Sequence, residues 1–594
     1  MKLTRLPWLL ALGMLSCESS GPHQTIHTGP IRADETWTMS GSPHIVPGHV
    51  FISDGATLTI EAGATVLFDS ASVLTFNRNG GGRLRALGTA AAPITLRSLD
   101  STAAPGRWVG FALRSNTVSE MHYVDMSGCG GTYFLNNMPL GCLVLGSEAF
   151  PDESPELLID HVTIHDATGP AVILENEARF VPGSVALTVH HMRGYIALMR
   201  ARESARFPTG GEFVGNEYNE VRLTLDTLQD SITWAGIPWT LVDTVYVEGP
   251  KQPVLTILPN DTIRMRGRGT IVVGWRAPGG LQVGSENGQT ATFRAADTSW
   301  GGITLLWNTI PSSITNALFD NCGRVENSSF GTVSCVVVVG DYYGVVPDYP
   351  APVLRHVTMR ALGGGLVLAA GARLGAGSAD LTITGVSGPS GLFGSGPPIT
   401  IGGRSSPSTI PPGVYTNTLG GVIVLQEMDV RHDDTWPNLG VRYLVTNASV
   451  GDSTTHPTLT VSPGTTLQFI MGSHLRVGWN APGAVRVIGT VAEPITLKGQ
   501  EDRPDAWGGI TIGTFADSTT MFEHVLVDEA ANSWPVGAFQ FYKDIGPVIR
   551  NSTISNSAGC GVIIVNQPPW STDFTAPALG NTFTNNAGGA VCGP

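Results

Sequence analysis

A threefold internal repeat constrains this chain more than any other feature. Thr57-Leu58-Thr59-Ile60 returns as Val254-Leu255-Thr256-Ile257 and again as Thr458-Leu459-Thr460-Val461, steps of 197 and 204 residues. Arg107-Trp108-Val109-Gly110-Phe111 matches Trp300-Gly301-Gly302-Ile303 and Trp507-Gly508-Gly509-Ile510. Trp37, Trp234 and Trp436 open the copies, each shortly after an acid (Asp34, Asp230, Asp434). His161-Val162-Thr163-Ile164, His356-Val357-Thr358-Met359 and Asn551-Ser552-Thr553-Ile554 lie 195 residues apart both times. Landmarks in one order at one spacing mean triplication, and a repeated unit completes its core by stacking on its neighbours. The expected bodies are residues 34–229, 230–430 and a shorter 431–594.

Within a copy, apolar residues alternate with Thr, Ser, Arg or Asn for about four to six residues before Gly, Pro, Asn or Asp interrupts, which is strand patterning with turn chemistry. Glycine supplies 74 of 594 residues and charged residues only 14%, against about 25% in an ordinary soluble domain. Many turns and few charged helix faces follow, so the fold class is all-β. A weaker inner echo, Asn551-Ser552-Thr553-Ile554-Ser555-Asn556 against Asn581-Thr582-Phe583-Thr584-Asn585-Asn586, gives a 30-residue step. A repeated turn asparagine can form a side-chain ladder when strands stack in register.

Three stretches carry a resemblance: residues 55–66 (Gly55-Ala56-Thr57-Leu58-Thr59-Ile60 onward), Leu84-Arg85-Ala86-Leu87-Gly88-Thr89, and Val485-Arg486-Val487-Ile488-Gly489-Thr490. They resemble the right-handed parallel β-helix repeat proteins of bacterial cell surfaces. The resemblance implies a β-solenoid of three tandem copies, with small side-chain sets from each circuit stacked into a narrow core. Circuits of about 22 residues at about 4.8 Å per strand would give a rod on the order of 120 Å. It implies architecture rather than activity, because one fold hosts many functions.

At the start, Lys2 and Arg5 precede an apolar run over residues 6–15 that ends in Ser16-Cys17. The run is too short to span a bilayer and reads as a signal peptide. It resembles the lipobox of bacterial lipoproteins, which implies removal of residues 1–16 and acylation of Cys17, palmitate included. Glu18 stands where an Asp would imply inner-membrane retention, so the resemblance points to the outer membrane. Residues 17–33 read as a flexible tether. Six cysteines remain. Cys129 and Cys142, like Cys322 and Cys335, are 13 apart at matching places, while the third copy carries Cys560 and Cys592 instead. Gain and loss in pairs is what disulfides produce in an exported protein.

Chemistry is sparse. His432-Asp433-Asp434 is the one run of paired carboxylates beside a histidine; its place before Trp436 matches Asp34 and Asp230, which suggests a turn or entry cap, with a metal or acid/base role as the alternative. His161 and His165 flank one strand, too far apart to share an ion, and their counterparts are His356 and Arg360, then Asn551 and Ser555. His190-His191 alternate faces; Asp152, Glu153 and Glu156 read as an exposed loop. Trp108, Trp300 and Trp507 are either a sugar-stacking row or plugs at a glycine corner. No metal motif and no cofactor loop is legible. Lys and Arg total 34 against 48 Asp and Glu, a net charge of −14 that disfavours nucleic acid. The expectation is a membrane-anchored surface protein that binds a glycan or a protein without catalysis. A polysaccharide-processing lyase or hydrolase and a passive envelope spacer are the alternatives.

Overall fold

The computed structural model describes residues 24–77, 80–100, 102, 104–132, 141–147, 149–323, 334–340, 351–386, 396–417, 421–532, 536–565 and 570–593. Cys17 and the expected signal peptide lie outside them. Among the described residues there is no α-helix, only short 3-10 turns such as Pro407–Thr409 between strands. Thr57–Glu61 shows why these segments become strands: Leu58 and Ile60 are fully buried while Thr57, Thr59 and Glu61 face outward. Each strand pairs in parallel with one a full circuit later. Trp37, Ile60, Ala86, Met121 and Ile159 thereby form one inward column. Parallel sheets bury their inner faces in this way and leave few apolar atoms for the outside.

Two compact units are separated by their contacts, one reaching residue 197 and including 206–219, the other comprising 198–205 and 220–594. In the first, one sheet face runs through Glu35–Trp37, Thr57–Glu61, Arg83–Leu87 and the first half of Val118–Ser127. A second runs through His44–Val46, Thr65–Phe68, Ile94–Ser98 and the second half of Val118–Ser127. A third joins His49–Ile52, Val73–Phe76, Gly110–Leu113, Leu143–Leu145 and Val172–Leu174. Thr25–Ile26 pairs with His44–Val46, and Ile31 is buried, so part of the segment expected to be a free tether belongs to the first circuit.

In the second unit one sheet of 14 strands runs from Asp226–Leu228 to Thr582–Thr584. Circuits are uneven: Trp37 to Ile60 is 23 residues, Ile60 to Ala86 is 26 and Ala86 to Met121 is 35. The uniform 22 residues expected from the sequence underestimates them, because turns lengthen while the strands keep their register. The Asn echo stacks with a step of 29, Thr553 on Thr582, one fewer than its sequence alignment. Asn585 donates to Asn556 at 3.3 Å, and Asn556 to Asp528 at 2.9 Å, which is a short ladder of the expected kind.

Equivalent positions do equivalent structural work. His161, His356 and Asn551 occupy left-handed backbone (φ 58°, 53° and 46°) where the chain turns from one face to the next. Asn and His are among the residues that enter this region most readily. His161 is therefore a corner residue and not the head of a straight strand. A strand-start cap also recurs, at Asp34 as aligned and one position away from the aligned acid at the other two places. Asp34 accepts from Thr57 N (2.8 Å), Ser231 from Val254 N (3.0 Å) and Asp433 from Thr458 N (2.8 Å). Cys129–Cys142, Cys322–Cys335 and Cys560–Cys592 are disulfide-bonded, with Cα separations of 5.1, 4.9 and 6.0 Å.

Candidate functional site

Trp108, Trp300 and Trp507 are wholly buried, so they form no exposed stacking row. Each indole fills the corner and donates to a backbone carbonyl: Ser127 (2.9 Å), Asp320 (3.0 Å) and Asp528 (2.8 Å). Trp108 stacks on Phe68 at 3.9 Å and Trp507 on Phe469 at 4.2 Å. The neighbouring glycine makes the close approach possible. Gly509 has φ 90°, and a Cβ there would sit 2.6 Å from Ala538 O. The plug reading holds for these three residues.

The residues around His432 come together differently. Within the second unit the strand Ile303–Leu305, which follows Trp300, and the strand Thr466–Phe469, which precedes Trp507, belong to the same 14-stranded sheet. The stacks therefore exchange faces by one between these two tryptophans. At the change-over, Met428–Val430 and Asp434–Trp436 each begin a new sheet. The 3-10 turn Pro407–Thr409 stands against Asp434–Trp436, with Ser406 Oγ donating to the Asp434 carboxylate. A turn fills less space than a strand, and a recess remains.

Three adjoining hollows of about 260, 370 and 480 Å³ open there. The middle one is lined by Arg373, Arg404, Ser405, Asp429, Arg431 and His432 among others. It shares Asp433 and Asp434 with a hollow that continues to Thr458 and Thr460. On its other side it shares Arg404 and Asp429 with one that continues to Gln426 and Glu427. The result is a groove of mixed lining whose two larger hollows, about 370 and 480 Å³, fall in the size range of small-ligand sites. Arg431 Nε donates to Asp429 at 2.7 Å and Arg404 Nε to the same oxygen at 3.5 Å. Asp434 is half-buried, and burial raises its carboxyl above the ordinary range against the opposing pull of Ser406. Asp433 and His432 are exposed. The sequence brought His432, Asp433 and Asp434 to notice; Arg373, Arg404, Asp429 and Arg431 carried no legible signal, because only the change-over gathers them.

The first unit holds a second titratable set on an outer face. His165 lies between Asp125 (2.9 Å) and Asp166 (2.7 Å), whose hydrogen bonds push its pKa up to about 9 against burial. His190 stacks on His165 at 4.9 Å. Strict strand alternation would separate His190 from His191. His191, however, is left-handed (φ 55°), and the two Nδ1 atoms lie 3.2 Å apart. Arg85, Glu120, His122, Asp160 and His161 form a second connected chain of polar contacts. Glu153 is fully buried and Glu156 pairs with Arg179 at 2.7 Å, so only Asp152 matches the exposed loop expected for the three. No group of three or more metal-binding side chains is suitably arranged among the described residues.

Sequence reading also missed two aromatic turns, Val273-Gly274-Trp275-Arg276-Ala277-Pro278 and Val477-Gly478-Trp479-Asn480-Ala481-Pro482, although they repeat at the 204-residue spacing. In the first, Arg276 covers the Trp275 ring at 4.1 Å and Tyr246 stacks at 5.5 Å. In the second, Asn480 replaces the arginine. Trp479 is 38% exposed, Tyr542 meets it edge-on at 4.8 Å, and the adjacent Phe515 is 52% exposed. No known family model matches the chain, and neither does any curated protein or solved structure.

Proposed function

We propose that the chain is a lipid-anchored protein of the bacterial outer membrane, built from three tandem copies of a right-handed parallel β-helix, that binds a polysaccharide in the change-over groove. The groove carries this reading: an elongated run of guanidinium, carboxylate, amide and hydroxyl groups, open to solvent, where the strands Met428–Val430 and Asp434–Trp436 begin new sheets. Sugars present many hydroxyls and few apolar atoms, and a polar groove answers them with paired donors and acceptors. The repeated caps, left-handed corners and buried tryptophans support the three-copy solenoid. The disulfides support export to an oxidising compartment, and the lipobox-like Ser16-Cys17 supports anchoring through Cys17.

A glycan array probed with the purified protein, followed by titration of each hit, tests the reading. Saturable binding that Asp433→Asn with Arg404→Gln weakens at least tenfold is the expected result. Absence of binding to every polysaccharide would leave the spacer alternative. One observation favours a second reading. The raised carboxyl of Asp434 beside Asp433 is what a proton donor to a glycosidic oxygen requires. Release of reducing ends or unsaturated products, abolished by Asp434→Asn, would establish an enzyme in place of a binding protein.

A further inference from the structure

We infer that the middle of the groove is a clamp for an oxyanion on the bound glycan, a uronate carboxylate or a sulfate ester, gripped by Arg404 and Arg431 with Arg373 beside them. This deepens the glycan-binding reading and rests on it. Asp429 fixes the geometry. One carboxylate oxygen takes the Nε of both Arg404 and Arg431, which holds two guanidinium groups side by side in the same hollow. A guanidinium has five N–H donors in a rigid plane. With Nε used on Asp429, the terminal nitrogens of Arg404 and Arg431 meet no acceptor among the described residues. Those nitrogens are the pair that engages a carboxylate or sulfate through two parallel bonds.

Three arginines and three aspartates (Asp429, Asp433 and Asp434) line this hollow, and Asp429 is the one that pairs with Arg404 and Arg431. Asp433 is occupied by Thr458 N and Asp434 by Ser406, so neither reaches across to quench the arginines by direct pairing. Ser405 adds a neutral donor. Its Oγ accepts from Gly371 N at 3.1 Å, so its own proton is left to give.

The test titrates the full-length protein in detergent with polygalacturonate, dextran sulfate and neutral dextran by calorimetry at low and moderate salt. At least one acidic polymer is expected to bind tenfold or more tighter than neutral dextran, with affinity falling as salt rises. The double variant Arg404→Gln with Arg431→Gln should erase that preference while circular dichroism stays unchanged. Arg373→Gln, an exposed site, should reduce it severalfold with no change in fold and guards against misfolding of the double variant. Which polymer binds separates carboxylate from sulfate ester. Equal affinity for acidic and neutral polymers, or a preference that survives both variants, overturns the clamp and leaves the glycan groove intact. Binding of inorganic sulfate with no polymer binding overturns the groove reading as well.

Discussion

Replacing Trp507 by Ala separates a core plug from a binding platform. The indole is fully buried, stacks 4.2 Å from Phe469 and donates to Asp528 O at 2.8 Å. An aromatic of this size removes about 150–250 Å² from water, worth about 4–6 kcal/mol at about 25 cal/mol per Å². The methyl of alanine retains a part, so the expected loss is about 3–5 kcal/mol. Trp507→Phe keeps most of the ring but strips the Asp528 carbonyl of its donor, at about 1–3 kcal/mol. Trp479→Ala, on a ring that is 38% exposed, should cost less, about 1–2 kcal/mol. Denaturant unfolding with the disulfides intact gives the ranking. Hydrogen exchange localises the damage, which is expected first in nearby strands such as Thr466–Phe469 and Val525–Asp528. A Trp507→Ala protein that keeps its stability to within about 1 kcal/mol but loses glycan binding would refute the plug argument.

Four further outcomes are expected. Peptide mapping without reduction should recover Cys129–Cys142, Cys322–Cys335 and Cys560–Cys592; opening either 13-residue loop by Cys→Ser should cost about 3 kcal/mol. His165 is raised to about 9 from 6.5, so its stabilisation is complete below about pH 6.5 and fades as pH rises through 9. Thermal unfolding of wild type and His165→Gln should therefore diverge at pH 6 and converge at pH 9.5, and parallel curves would refute the Asp125–His165–Asp166 bridge. Asp433→Ala should cost about 1 kcal/mol by removing the cap on Thr458 N, read as a lower denaturation midpoint, whereas Asp433→Asn retains an acceptor there. Cys17→Ser should move the protein from the membrane fraction to the soluble one; sedimentation after a high-salt wash would count against lipid anchoring.

The groove and the fold differ in how far they could be read beforehand. Thr57-Leu58-Thr59-Ile60 and its two relatives dictate strands because alternation sends every second side chain inward whatever lies around it. Two of the disulfide pairs followed from matching spacing, and the third from the two cysteines left over. Histidine and tryptophan roles were harder. A sequence shows that Trp300 and Trp507 adjoin glycine and that Trp108 stands two residues from Gly110, but burial of their rings depends on Phe68, Phe319 and Phe469, which come from other circuits. His190 and His191 meet only because His191 takes a left-handed conformation, which alternation rules do not foresee.

What the sequence determined by itself, then, is what is local or periodic: β-strands, turns and the cysteine pairing. Tertiary structure alone decided which residues face one another across circuits. Arg404, Asp429 and Arg431 are separated along the chain by steps with no bearing on the repeat. They converge because Met428–Val430 and Asp434–Trp436 begin sheets where the preceding circuit offers a turn in place of a strand. Periodicity specifies what stacks, and the interruption of stacking, which has no period, is where the groove opens.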